Sequence, residues 1–396
     1  MLAVVAATWA LLLGMAFIMT GNGLLVSLLG VRATAEHFPT AVTGVVQTCY
    51  YVGFLVGSLL APRAVQRVGH IRVFAALAAL VAAASLVHAL FVDAVVWGGM
   101  RMVAGFAYAG LYVVAESWLN DRSSNETRGQ LLSIYMVIQF GGLMLGQLLL
   151  NIADPIGFEL FSLVAILLTL AIPTMLLSAN RAPSFEAPAQ MGLVRLFRIS
   201  PLGVLGCFGV GIAHSAFFGM GAVYGRDSGL SLFEVSVFMA IAILGGVAAQ
   251  WPVGRLSDRM DRRIVIVGAT FVAAGATLVA ALLPAGAPVM VLALACLFGA
   301  ASLPLYSLVI AHTNDLLKPQ EMVAASSSLI LVFGIGAVAG PALAGAVMSA
   351  IGTAGFFWYL AAAQAAIGLV ALYRMARRAA PRIEDREPFQ PVEQRR

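Results

Sequence analysis

Twelve apolar stretches follow one another along the chain, joined by short polar segments. They fall near residues 6–29, 42–61, 73–91, 94–117, 130–151, 158–178, 201–224, 232–253, 264–283, 288–311, 323–349 and 355–373. About 20 apolar residues, rising about 1.5 Å each, cross the hydrocarbon core of a bilayer. Backbone groups in that medium must pair within their own segment, so each stretch is predicted as an α-helix. The fold class that follows is an all-α membrane protein with twelve transmembrane helices, and its first partner is the lipid bilayer. Composition agrees, with 61% of residues in the hydrophobic set and 10% charged, against about 45–50% and about 25% in soluble domains.

A net charge of +5 raises the question of a nucleic-acid partner. The basic residues are scattered through loops between apolar runs and form no stripe on a soluble domain, so that class is excluded. Topology accounts for the charge instead. Counted by alternating segment, 20 of the 23 Lys and Arg fall on one side, and such residues accumulate in cytoplasmic loops. Both termini are therefore expected to be cytoplasmic. Arg32, just after the first span, argues locally the other way and is outvoted by the later loops. A cleaved signal peptide is not expected, because the start lacks a positive leader and the apolar run is too long. A single lysine, Lys318, among many Arg, Ala and Gly residues points to a GC-rich bacterial genome, hence a bacterial inner membrane. Cys49, Cys207 and Cys296 lie far apart inside apolar runs, which gives neither metal spacing nor a disulfide framework. No metal and no cofactor is expected.

Residues 179–200 change character, with two prolines, four charges and Leu193, Leu196 and Phe197 at i, i+3 and i+4. That spacing predicts a short interfacial helix with its arginines toward headgroups. The domains expected are a six-helix bundle over 1–178, a cytoplasmic linker over 179–200, a second six-helix bundle over 201–374 and a disordered cytoplasmic tail over 375–396. The bundles read as a duplication. Gly142 and Gly146 in span five return as Gly336 and Gly340 in span eleven, 194 residues later, and Gly57 returns as Gly254 after 197.

Gly254 opens a charged hinge of ten residues, Gly254-Arg255-Leu256-Ser257-Asp258-Arg259-Met260-Asp261-Arg262-Arg263, expected to form a tight cytoplasmic turn. Gly254, Asp258, Arg259, Arg262 and Arg263 resemble the loop signature of the major facilitator superfamily of secondary transporters, with Asp261 standing where that pattern has a second glycine. The duplicated halves are the plan that superfamily uses. Glu116-Ser117-Trp118-Leu119-Asn120-Asp121, at the cytoplasmic end of span four, is similar to its YcaD-like branch. Glu116 is read there as a gate or coupling group, or equally as a structural cap.

Charges inside a span are costly, about 2.5–3.5 kcal/mol on the mildest scale. Arg101 is the basic residue placed within a predicted span, and Arg101 to Gly105 resembles the superfamily's Arg-x-x-x-Gly pattern, whose arginine is implicated in proton coupling. Fixing helix packing through carbonyls is the plainer alternative. At 100° per residue, Tyr108 and Tyr112 share a stripe with Arg101, whereas Glu116 lies about 22 Å further along the axis and cannot pair with it. His214 sits near the middle of span seven, where it relays a proton, contacts solute or simply bonds a carbonyl. Asn22 stands between Gly21 and Gly23. Tyr306 follows Pro304, a residue that lets span ten bend. The resemblance implies that spans one, four, seven and ten line the solute path, which places Asn22, Arg101, Tyr108, Tyr112, His214 and Tyr306 on it. Arg101, His214 and Glu116 are the coupling candidates.

No Asp or Glu falls near a predicted membrane centre, and no phosphate-binding loop is present, which argues against an ATP-driven pump. The expectation is a monomeric secondary transporter, not an enzyme, moving a small organic solute by alternating access. Proton-coupled efflux of amphipathic compounds is the first reading. Uptake of an organic anion or other metabolite is the second, and a transporter-like receptor or lipid-handling protein without turnover is an alternative of another class.

Overall fold

The computed structural model describes residues 2–122, 128–176, 191–284 and 286–377. The linker up to residue 190 and the expected tail from residue 378 onward lie outside them, while residues 375–377, expected in the tail, continue the last helix. Fourteen helices are described. The first six are α1 (Leu2–Ala35), α2 (Thr40–Val68), α3 (His70–Leu90), α4 (Ala94–Arg122), α5 (Arg128–Leu149) and α6 (Glu159–Leu176). Then come the short α7 (Leu193–Ile199) and the long α8 (Pro201–Asp227), α9 (Leu232–Arg259) and α10 (Arg262–Ala281). The chain closes with α11 (Pro288–Ser302), α12 (Leu305–Asn314), α13 (Pro319–Ile351) and α14 (Gly355–Arg377). Among the described residues, twelve segments are long and apolar enough to cross a membrane, in the predicted order.

Three boundaries differ from the sequence reading. The hinge is not a ten-residue turn, because α9 continues to Arg259 and α10 begins at Arg262, leaving Met260 and Asp261 between them. Gly254 is therefore helical, and a Cβ there would meet nothing within 4 Å. The link between spans two and three is shorter still, since Gly69 alone separates α2 from α3 at φ 91°, a conformation that favours glycine. Span ten is broken rather than bent, with α11 ending at Ser302 and α12 starting after Pro304, because proline has no N–H for the preceding turn.

Packing groups the chain into two units, Met1–Ala187 with Phe218–Ala240, and Pro188–Phe217 with Ile241–Arg396. The first is built on α1, whose residues from Leu11 to Leu29 include Met15, Ile18, Leu24 and Leu25, all fully buried. A helix apolar all round belongs at the centre, and α1 is flanked by α5 and α6, while α2 packs on α4 and α3 on α4 and α6. Ala222, Leu230 and Val235 join the same core. Asn151 Nδ2 also donates to Ser236 Oγ at 2.7 Å there.

In the second unit α10 packs on α11, α12 and α14, and α13 on α12 and α14. The paired glycines of spans five and eleven serve one purpose in each unit. A Cβ on Gly142 or Gly146 would strike Met19 or the Thr20 carbonyl of α1, and one on Gly336 or Gly340 would strike the Phe208 or Ile212 carbonyl of α8. Small residues let helix backbones meet where lipid offers no hydrophobic drive. Of the predicted interfacial face, Leu196 is buried while Leu193 and Phe197 are exposed. Helix α7 is held by Arg195, which pairs with Glu321, and Met191 N donates to Ser328 Oγ at 3.0 Å.

Candidate solute site and hinge

Helices α2 and α4 touch backbone to backbone. A Cβ on Gly53 would overlap the Met102 carbonyl, and one on Gly105 would overlap that of Tyr50. This closeness delivers Tyr50 to Arg101. The Arg101 Cζ lies 4.4 Å from the Tyr50 ring centroid, and the residue is 1% exposed. A cation this close to a desolvated ring gains about 2 kcal/mol, but that contact does not replace hydrogen bonds to its N–H groups. The Arg101 Nε and Nη1 are buried without a hydrogen-bond partner, so the carbonyl anchor considered from sequence is not formed by these two nitrogens. Groups close enough to feel its charge are Tyr50, Tyr51, Tyr108, Cys49 and His88, none of them a carboxylate.

The predicted stripe on α4 is present and is completed by α1 and α2. Tyr50 meets Tyr108 with ring centroids 6.1 Å apart and Tyr51 at 5.2 Å, and Phe54 meets Tyr112 at 6.0 Å. Asn22 lies near the hydroxyls of Tyr50 and Tyr112, and its Oδ1 is buried without a partner. The Tyr112 hydroxyl also donates to Met19 Sδ at 3.3 Å. Tyr108, 0% exposed, has an unpartnered hydroxyl, as Gln47 has an unpartnered Oε1. Asn22, Arg101, Tyr108 and Tyr112 thus converge. Sequence reasoning missed Gln47, Tyr50 and Tyr51, although their i, i+3, i+4 spacing marks one polar face of span two.

Glu116 lies one turn beyond Tyr112, exposed, and close to Tyr112 and Tyr135. Its neighbours in the motif do structural work. His70 Nε2 meets Ser117 Oγ at 2.9 Å and the His70 ring stands edge-on to the buried Trp118, tying α4 to the start of α3.

In the second unit His214 and Tyr306 share Phe333, with ring centroids 6.2 and 5.2 Å away. His214 Nε2 donates to the Ser302 carbonyl at 3.0 Å, and Gln364 Nε2 donates to Ser302 Oγ at 2.6 Å. Gln364 is fully buried and its Oε1 has no partner. A lone glutamine among alanines of span twelve was the signal available for it.

The hinge centres on Arg262. Its Nε donates to Asp315 Oδ2, and its Nη1 to Ser257 Oγ and to Asp258 Oδ1, each at 2.8 Å. Arg259 is exposed, while Arg263 pairs with Asp261 at 2.7 Å. Asp261 caps α10, accepting Arg263 N at 3.0 Å, which is how an aspartate serves where the superfamily pattern has glycine. Burial disfavours the charged form of Asp261, but the hydrogen bonds from Arg263 outweigh it and hold the carboxyl below the ordinary range.

Twelve spans in two packed units, with costly polar clusters buried inside apolar helices, define a multi-pass membrane transporter. The family model of the Major Facilitator Superfamily matches residues 11–284 and 243–394, and the chain belongs to that family. It is 29% identical over 315 residues to the "Uncharacterized MFS-type transporter YcaD" of Escherichia fergusonii, covering 79% of this chain and 81% of that one. A Yersinia pestis (strain Pestoides F) "Uncharacterized MFS-type transporter" is 31% identical over 318 residues, with the same coverage. The solved structure of the nucleoside transporter NupG has the same fold, with a TM-score of 0.76 at 13% identity over 93% of this chain and 98% of that one.

Proposed function

We propose that this chain is a secondary active transporter that moves a small, partly apolar organic solute across a bacterial inner membrane by alternating access. Its halves, 1–178 and 201–374, are the moving parts, and both termini are cytoplasmic. Arg101, Asn22, Tyr108 and Tyr112, with Tyr50 and Tyr51, form the solute cage of the first half. His214 and Tyr306 are its counterparts in the second. One observation carries this reading: Arg101 is buried with two N–H-bearing nitrogens unpaired and, among the described residues, no carboxylate beside it. An uncompensated charge in low dielectric costs several kcal/mol, and intramembrane charges of that kind mark transport paths.

Flux of a panel of labelled amphipathic solutes into proteoliposomes tests it, with Arg101→Gln and Tyr112→Phe as variants and melting temperature as the control for folding. Flux in the native chain that collapses in correctly inserted Arg101→Gln is the expected result. Normal flux in that variant sinks the role of the cage. Binding without flux in the native chain would make the protein a receptor or lipid-handling protein.

A further inference from the structure

The solute class follows from what the cage lacks, on the reading that it is the solute site. We infer that Arg101 receives the carboxylate of a monoanionic solute whose body is flat, mostly apolar and furnished with a hydroxyl or N–H donor. Three observations converge. The Tyr50 ring stands 4.4 Å from the Arg101 Cζ, and Nε and Nη1 are both buried without partners. Nε and Nη1 lie on different edges of the guanidinium, so each offers a single charge-assisted N–H to a carboxylate oxygen.

The charge count then sets the valence. Tyr50, Tyr51, Tyr108, Cys49 and His88 are the groups near Arg101, with no lysine or second arginine among them. One guanidinium neutralises one negative charge. A phosphate monoester, close to a dianion at neutral pH, would leave an uncompensated charge in the same low dielectric, at several kcal/mol.

The lining sets the rest. The rings of Tyr50, Tyr108, Tyr112 and Phe54 lie 6.0–6.2 Å from one another in successive pairs, in tilted and edge-on arrangements, so the surroundings of Arg101 are aromatic and mostly apolar. Gln47 Oε1 and Asn22 Oδ1 are buried acceptors without donors. A solute hydroxyl or N–H would satisfy one of them, and a purely apolar acid would leave both unpaired.

Matched pairs of acid and amide isolate the charge at constant shape. The probes are 4-hydroxybenzoate with 4-hydroxybenzamide, 4-hydroxyphenylacetate with its amide, and indole-3-acetate with its amide, together with phenyl phosphate. Each is assayed at about pH 8, where the acids are ionised. The full-length protein is measured by thermal stabilisation in detergent and by exchange in proteoliposomes. At least one acid should bind about tenfold or more tightly than its amide, and phenyl phosphate should not bind better than the acids. Arg101→Gln should abolish that preference while still binding the amide. Size-exclusion profile and melting temperature report whether each variant is folded.

No preference in any pair, a preference that survives Arg101→Gln, or no binding of any probe by the native chain overturns the proposal. Amides bound and moved in a Tyr112-dependent manner would remove the carboxylate and leave the cage. Exchange of the acids indifferent to variants at Arg101, Tyr108 and Tyr112 would remove the cage itself.

Discussion

Asp261 accepts the backbone N–H of Arg263 at 3.0 Å and grips the guanidinium of the same residue through both carboxylate oxygens. One side chain thus caps a membrane helix and holds a basic residue at its start. The pH consequence has a definite sign. The folded carboxyl titrates below its unfolded value, so its contribution is complete above about pH 4 and is lost as pH falls through the folded value. Asp261→Asn keeps a good cap and removes the charge. The melting temperature of the native chain should therefore fall more steeply below about pH 4 than that of Asp261→Asn. Parallel curves would show the ion pair to be without effect on stability.

Asp315 and Asp258 share Arg262 unequally. The Asp315 side chain is 16% exposed and that of Asp258 is 68% exposed. Exposed pairs are worth about 0–1 kcal/mol, whereas breaking a more buried one leaves an unpaired charge. Asp315→Asn should cost about 1–3 kcal/mol and Asp258→Asn under about 1 kcal/mol. Thermal denaturation of the two variants checks the order, and a larger loss at Asp258 would reverse it.

Gly105 has no room for a methyl group. The added Cβ would fall on the Tyr50 carbonyl, so Gly105→Ala must push α2 from α4 at about 1–3 kcal/mol and carry Tyr50 off Arg101. A lowered melting temperature together with weakened solute binding is expected. Unchanged values for both would mean that the helices separate freely.

The Ser302 cluster should respond asymmetrically. Ser302→Ala strands the buried Gln364 amide, at about 1–3 kcal/mol, while Gln364→Leu removes donor and orphan acceptor together and should cost less. Melting temperatures of the two single variants decide it. Equal losses would place the energy in packing rather than in the hydrogen bond.

The spans were legible because burial in lipid is written residue by residue in hydropathy, and the glycine repeat because close helix contact tolerates no side chain. The stripe of Arg101, Tyr108 and Tyr112 was legible from helical period alone. Tyr50 was not, since its meeting with Arg101 depends on α2 and α4 touching at Gly53 and Gly105, a pairing that no single-helix pattern encodes. The hinge was overestimated for a related reason. Charged residues read as loop when judged by polarity, yet Arg255, Asp258 and Arg259 extend α9 to its end. Likewise the sequence stressed Asp258, which neighbours Arg262 along the chain, and passed over Asp315, which neighbours it only in space.

The break in span ten leaves helix ends inside a segment long and apolar enough to cross a membrane. The terminal carbonyls of α11 need donors, and in hydrocarbon an unmet one costs several kcal/mol. His214 supplies an N–H to the Ser302 carbonyl, and Gln364 engages the adjacent hydroxyl. These two side chains act as a portable hydration shell, carried by helices α8 and α14. The broken span is thus tied at Ser302 to two further helices, and the polar groups that replace water there belong to the protein itself.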